Sequence, residues 1–97
     1  MKIKYYFSYY FTGQDYEEES PRGRHHSYEN AMKAIEKFIK KEKKEGWKEL
    51  EEEPYKVTIY KYTYDHYDKD EKLKFYKVCK TWEVKLPITE VKDEKNN

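Results

Sequence analysis

The run Lys2-Ile3-Lys4-Tyr5-Tyr6-Phe7-Ser8-Tyr9-Tyr10-Phe11 decides the class of this fold. Its odd positions are Ile3, Tyr5, Phe7, Tyr9 and Phe11, and its even ones are Lys2, Lys4, Tyr6, Ser8 and Tyr10. A period of two sends successive side chains to opposite sides of an extended chain, so the run predicts a strand with one apolar face. Gly13 ends it, and residues 14–26 read as an irregular loop carrying Glu17, Glu18, Glu19, Pro21 and Gly23. That is longer than most connections in a compact domain, a property shared by functional and disordered loops.

The period then changes from two to three and four. Tyr28, Ala31, Met32, Ile35, Phe38 and Ile39 fall on one helical face, with Lys33, Glu36, Lys37, Lys40 and Lys41 opposite. Ser27 is placed as N-cap, Glu29 complements the positive end of the helix dipole, and Lys43 and Lys44 complement the negative end. Gly46 supplies the left-handed residue that stops the helix, giving a predicted span of about Ser27 to Glu45.

Beyond the helix, Trp47 and Leu50 are suited to dock under its end while Glu49, Glu51, Glu52 and Glu53 face water, and the structure of 47–54 stays open at this level. Tyr55 to Tyr64 predicts a second strand, with Val57 and Ile59 on one side and Thr58, Tyr60, Tyr62 and Tyr64 on the other. Leu73 to Leu86 predicts a third, with Val78, Trp82 and Val84 in one phase and Leu73, Phe75, Cys79 and Thr81 in the other. The short polar segment Asp65 to Lys72 makes a hairpin of these two strands.

The expected fold is therefore α+β: a β-α-β-β chain forming a three-stranded, mainly antiparallel sheet with one amphipathic helix on one face. The expected strand order is 2-3-1, with 1-2-3 as the alternative. Residues 1–87 form the single domain, and 88–97 a flexible C-terminal tail after Pro87.

Composition narrows the function classes. Aliphatic residues are few, at five Ile, three Leu and four Val, against twelve Tyr, so rings must supply much of the buried apolar area. The 21 basic and 20 acidic residues nearly cancel, which argues against a global field that would attract nucleic acid or anionic lipid. No apolar stretch approaches the roughly 18 residues of a membrane span, and residues 1–11 lack the apolar segment of a signal peptide. Cys79 is the single cysteine, which reads as a small half-buried residue in a reducing compartment, so the expected location is cytoplasmic. Lys outnumbers Arg 19 to 2, a bias that AT-rich genomes tend to impose, which points to a low-GC bacterium, its phages or an archaeal virus as the source and is not evidence of function.

Two features carry candidate chemistry. The first is the loop Arg22, Gly23, Arg24, His25, His26 and Ser27, where both arginines of the chain lead into a helix N-terminus. A guanidinium fork and unpaired N–H groups favour phosphate or carboxylate, so Arg22, Arg24, His25, His26 and Ser27 form a candidate anion-binding set. The bland alternative is that Arg22 and Arg24 pair with Glu17 to Glu19 and order the loop. The second is an aromatic face made of Tyr6, Tyr10, Tyr60, Tyr62, Tyr64 and Phe75 on the side of the sheet away from the helix, suited to a partner protein, a homodimer contact or a stacked base. Stems of Lys56, Lys74 and Lys77 could instead pack over the rings.

Metal and catalytic motifs are missing. His25 and His26 are adjacent, His66 and Cys79 lie in different elements, and Asp65, Asp68, Asp70 and Glu71 lack the glycine and final glutamate of a calcium loop. Neither a nucleophile elbow nor a glycine-rich phosphate loop is present, so neither catalytic residue nor cofactor is expected. A weak enzymatic scenario, in which His25 or His26 acts as a base on a phosphodiester held by Arg22 or Arg24, ranks below binding. The expected function is a non-enzymatic interaction module that binds and inhibits a host factor through its aromatic face. A nucleotide or single-stranded nucleic acid binder, using the arginine loop for phosphate and tyrosine for stacking, is the rival.

Overall fold

The computed structural model describes residues 4–66 and 74–88, with the backbone alone for 64–66 and 74–76. Its elements are β1 (Tyr5–Gly13), β2 (Arg22–His25), α1 (Tyr28–Glu45), β3 (Pro54–His66) and β4 (Lys74–Lys85). Ile3, Leu73, the hairpin turn and residues 89–97 of the expected tail lie outside the described residues.

The helix forms where its caps and stripe dictate. Ser27 Oγ accepts a hydrogen bond from Asn30 N at 3.0 Å, and Gly46 adopts φ 79° with its N–H turned back on the last carbonyls. A residue with a Cβ adopts that left-handed conformation only at a cost, which is why glycine stands there. Ala31 and Ile35 are fully buried, and Tyr28, Met32, Phe38 and Ile39 pack around them.

The sheet has four strands in the order β2-β1-β3-β4, every neighbouring pair antiparallel. This corrects the expected three-stranded sheet and the order 2-3-1. The additional strand is β2, and it explains both differences. With only a helix between two strands, the second would return parallel to the first, and a third would have to lie between them. Because β2 first reverses the chain, α1 carries it back to the end of β1, and β3 descends directly beside β1. The register runs from Gly13↔Pro54 to Tyr5↔Thr63, giving the alternative order among the three anticipated strands.

Residues 14–21 connect β1 to β2 through specific bonds. Gly13 N donates to Tyr16 O at 2.8 Å and Glu18 N to Phe11 O at 3.0 Å, and Glu18 Oε1 accepts from Phe11 N. The Tyr16 ring rests against Gly13 with no room for a Cβ.

The core lies between α1 and the sheet, where Phe11, Val57, Ile59, Ala31 and Ile35 have no exposed surface. Burying each of the larger ones stabilises the fold by about 1.5–3 kcal/mol relative to exposure. The helix face continues past Ile39 to Glu42, which is also fully buried. Glu42 Oε1 accepts from Glu49 N and Leu50 N at 3.0 and 3.3 Å, and this holds the turn at 47–52 beneath the end of α1. Leu50 is buried there, which resolves the segment left open by the sequence, and Glu49 and Glu52 are not merely solvated. Glu49 pairs with Arg22, and Glu52 accepts from Asp15 N at 3.0 Å.

A bulge changes the phase of β4. The register passes from Lys61↔Lys80 to Tyr62↔Val78, so Cys79 is the additional residue. Val78, expected under the helix with Trp82 and Val84, therefore sits on the opposite side in line with Tyr62, and it is 46% exposed. Cys79, expected to be half-buried, is exposed for the same reason. Ile88 packs partly against the core although the sequence pattern placed it in the tail.

Candidate interaction face

A second bulge dismantles the arginine set. Phe7 pairs with His25 and Tyr9 with Arg22, so two steps along β1 match three along β2, and Gly23 absorbs the difference at φ 73°. Arg22 and His25 consequently go to the helix side, whereas Arg24 and His26 meet Tyr6 on the other.

On the helix side, Arg22 Nε and Nη2 donate to the Glu18 carboxylate, the shortest contact being 2.7 Å, and Nη1 donates to Glu49 at 3.2 Å. The guanidinium lies 4.6 Å from the Phe38 ring centroid. Hydrogen bonding to Glu18 raises its pKa above the ordinary arginine value. This is the loop-ordering role: a planar fork satisfied by two carboxylates and stacked on a ring. His25 stacks on Tyr9 at 6.0 Å, and burial raises the Tyr9 pKa above that of a free phenol. Ser27 is occupied as the helix cap.

On the other side, Arg24 lies 5.3 Å from the Tyr6 ring centroid and the His26 ring 5.6 Å from it. The structure thus brings Arg24 and His26 together around Tyr6 and separates them from Arg22 and His25.

The aromatic face follows from register. Tyr6 is opposite Tyr62, Ser8 opposite Tyr60 and Tyr10 opposite Thr58, and residues paired in this way project to the same side. The rings form a connected row: Tyr6–Tyr62 at 5.9 Å, Tyr62–Tyr60 at 5.4 Å and Tyr60–Tyr10 at 6.4 Å. Tyr62 is the buried member at 8% exposure, with its hydroxyl 3.2 Å from Ser8 Oγ, which donates in turn to Gly23 O at 2.7 Å. Tyr6, Tyr10 and Tyr60 stay half-exposed around it. The side chains of Tyr64 and Phe75 lie outside the described residues. Lysine stems cover rings on the helix side, Lys61 lying 4.4 Å over Tyr5 and Lys80 5.1 Å over Trp82.

Beside Tyr10 and Tyr60 the face deepens into an open cleft of about 560 Å³. Its floor is Tyr10, Thr58, Tyr60 and Thr81, Val78 forms one flank, and Glu17 to Glu19 with Pro21 close the other. The β1–β2 connection was legible in the sequence as a long acidic loop, but its position over the tyrosines was not, because that depends on the unforeseen β2.

Among the described residues no three of His, Cys, Asp and Glu are grouped so as to hold a metal ion. No described helix is long and apolar enough to cross a membrane. In comparisons with known proteins, the chain matches no family model, no curated protein and no solved structure.

Proposed function

We propose that this protein is a non-enzymatic interaction module whose helix-free sheet face binds another protein. The observation that carries the reading is the row Tyr6, Tyr10 and Tyr60, half-exposed and linked ring to ring through Tyr62, which is itself buried with its hydroxyl against Ser8. Rings fixed in this way offer large contact area while losing little conformational freedom on binding, and tyrosine is enriched at protein interfaces for that reason. Binding is favoured over catalysis because His25 and His26, the best available bases, are divided between opposite sides of β2 and each lies against a tyrosine ring. In its finer form the proposal is of a cytoplasmic, virus-type accessory protein that inhibits a host factor, supported by the small size of the chain and, as to source only, by its AT-rich compositional bias.

The rival, a nucleotide or single-strand binder, draws support from Arg24 and His26 beside Tyr6. It is opposed by Glu17 and Glu19 at the other end of the row, where phosphates would be repelled, and by the burial of Tyr62.

The test is capture from a host lysate by the wild-type chain and by a Tyr10→Ser, Tyr60→Ser variant, with Lys37→Ser, Lys41→Ser on the helix surface as control. Retained proteins should be lost with the tyrosine variant and kept with the control. An identical retained set for all three would refute the reading. Retention of oligothymidine with a steep salt dependence would favour the rival.

A further inference from the structure

We infer that the cleft beside Tyr10 and Tyr60 receives a lysine- or arginine-bearing segment of a partner protein. The inference rests on the reading of the tyrosine face as the binding surface and names the chemistry of what it binds.

Three independent observations carry it. The first is charge. Glu17 and Glu19 on the cleft wall are exposed and make no ion pair among the described residues, whereas Glu18 between them is taken up by Arg22. No basic residue among those described lines the cleft. Lys56 is drawn to Glu17 at longer range but is hydrogen-bonded to Glu83 at 3.3 Å. Two carboxylates beside two tyrosine rings make a surface that selects a cation, through charge and through the negative faces of the rings.

The second is an unsatisfied hydroxyl. Thr58 lies on the cleft floor at 5% exposure, and its Oγ1 has no hydrogen-bond partner among the described residues. Most buried polar side-chain atoms in folded proteins are paired. An N–H donor of an ammonium, guanidinium or peptide group seated there would give it the partner it lacks. The third is size and lining. About 560 Å³ falls within the range of ligand sites and exceeds what one side chain fills, so the occupant is a short stretch of chain. Val78, 46% exposed because the Cys79 bulge turned it to this side, offers an apolar flank for the methylene stem of a lysine.

The experiment uses the full chain and a fluorescein-labelled hexalysine peptide, with hexaglutamate and oligothymidine as references, read by fluorescence anisotropy at low and physiological salt. Hexalysine should bind and the two anions should not. Affinity should fall about tenfold in Glu17→Gln, Glu19→Gln and by less than about twofold in the isocharge control Glu51→Gln, Glu53→Gln. Amide chemical shifts of the wild-type chain, which depend on no variant folding, should move most at residues 17–19, Thr58, Tyr60, Val78 and Thr81. Shifts centred instead on 49–53, equal losses in the two glutamine variants, or no hexalysine binding at low salt would overturn the inference. If the Tyr10→Ser, Tyr60→Ser variant nevertheless loses its lysate partners, the interaction face survives and only the basic-segment assignment falls. If it also retains them, both readings fall together.

Discussion

On the helix side of the sheet, Phe11, Val57 and Ile59 are sealed by hydrocarbon and aromatic neighbours, whereas on the tyrosine side Ser8, Thr12 and Thr58 are buried almost as deeply. Of those three hydroxyls, only that of Ser8 has a partner among the described residues. The same strands therefore bury one face on apolar contact and the other at a cost of desolvated oxygen. The first arrangement is what a stable core requires. The second leaves the Thr12 and Thr58 oxygens short of donors, a defect that the helix side shares at Glu42 Oε2 among the described residues.

The comparison can be broken or sharpened by substitution, with urea unfolding as the measure. Phe11→Ala should destabilise the fold by about 4 kcal/mol through lost burial and a cavity, against less than about 1 kcal/mol for Tyr10→Ser on the half-exposed side. Similar losses at the two positions would abolish the distinction. Glu42→Ala should cost about 3 kcal/mol, because Glu49 N and Leu50 N lose their acceptor beneath α1. Arg22→Ala should cost about 2 kcal/mol, since it strips Glu18 and Glu49 of their partner, whereas Arg24→Ala on the tyrosine side should stay within about 0.5 kcal/mol.

The next effect has the opposite sign. Thr58→Val keeps the shape of the side chain and removes an unpaired buried hydroxyl, so it should stabilise the free protein by about 1 kcal/mol while weakening whatever binds the cleft. Destabilisation by Thr58→Val would mean that the hydroxyl already has a partner in solution. The smallest effect lies in alkaline pH. Burial, reinforced by Glu18 and Glu52, pushes the Tyr16 pKa up to about 12. A phenol with a raised pKa in the folded state favours folding fully below its unfolded value of about 10, and that contribution disappears as pH rises towards 12. Tyr16→Phe should therefore flatten the stability profile between about pH 10 and 12, by less than about 1 kcal/mol after solvent screening.

Where the sequence carried a period, it was readable. The helix and its caps at Ser27 and Gly46 occur where the spacing places them, and the strands around Phe7, Ile59 and Trp82 follow their alternation. What escaped the pattern was whatever interrupts it. β2 is four residues long and contains a bulged glycine, two arginines and a histidine, so no alternation marks it, yet it determines how β3 lies against β1. The residue inserted at Cys79 is equally silent and moves Val78 to the other face. Glu18 and Glu42 look like solvated charge in a chain that is 42% charged, although one holds Arg22 and the other closes the turn after α1. Of the candidate residues, the shared face of Tyr6, Tyr10, Tyr60 and Tyr62 was visible from alternation, but their row was not, because the expected order kept their two strands apart. The division of the arginine loop was not visible either, because it turns on the conformation of Gly23.

The outer side of β4 has consequences for assembly. Along the described part of this twelve-residue strand no neighbour pairs with its free edge, and an open ladder of that kind invites another chain to add a strand and propagate. The kink at Cys79 divides the ladder into two shorter runs, and Lys77, Lys80 and Lys85 set like charges along it. Edge-to-edge stacking of identical copies is thereby discouraged, and solutions at high concentration should stay free of fibres.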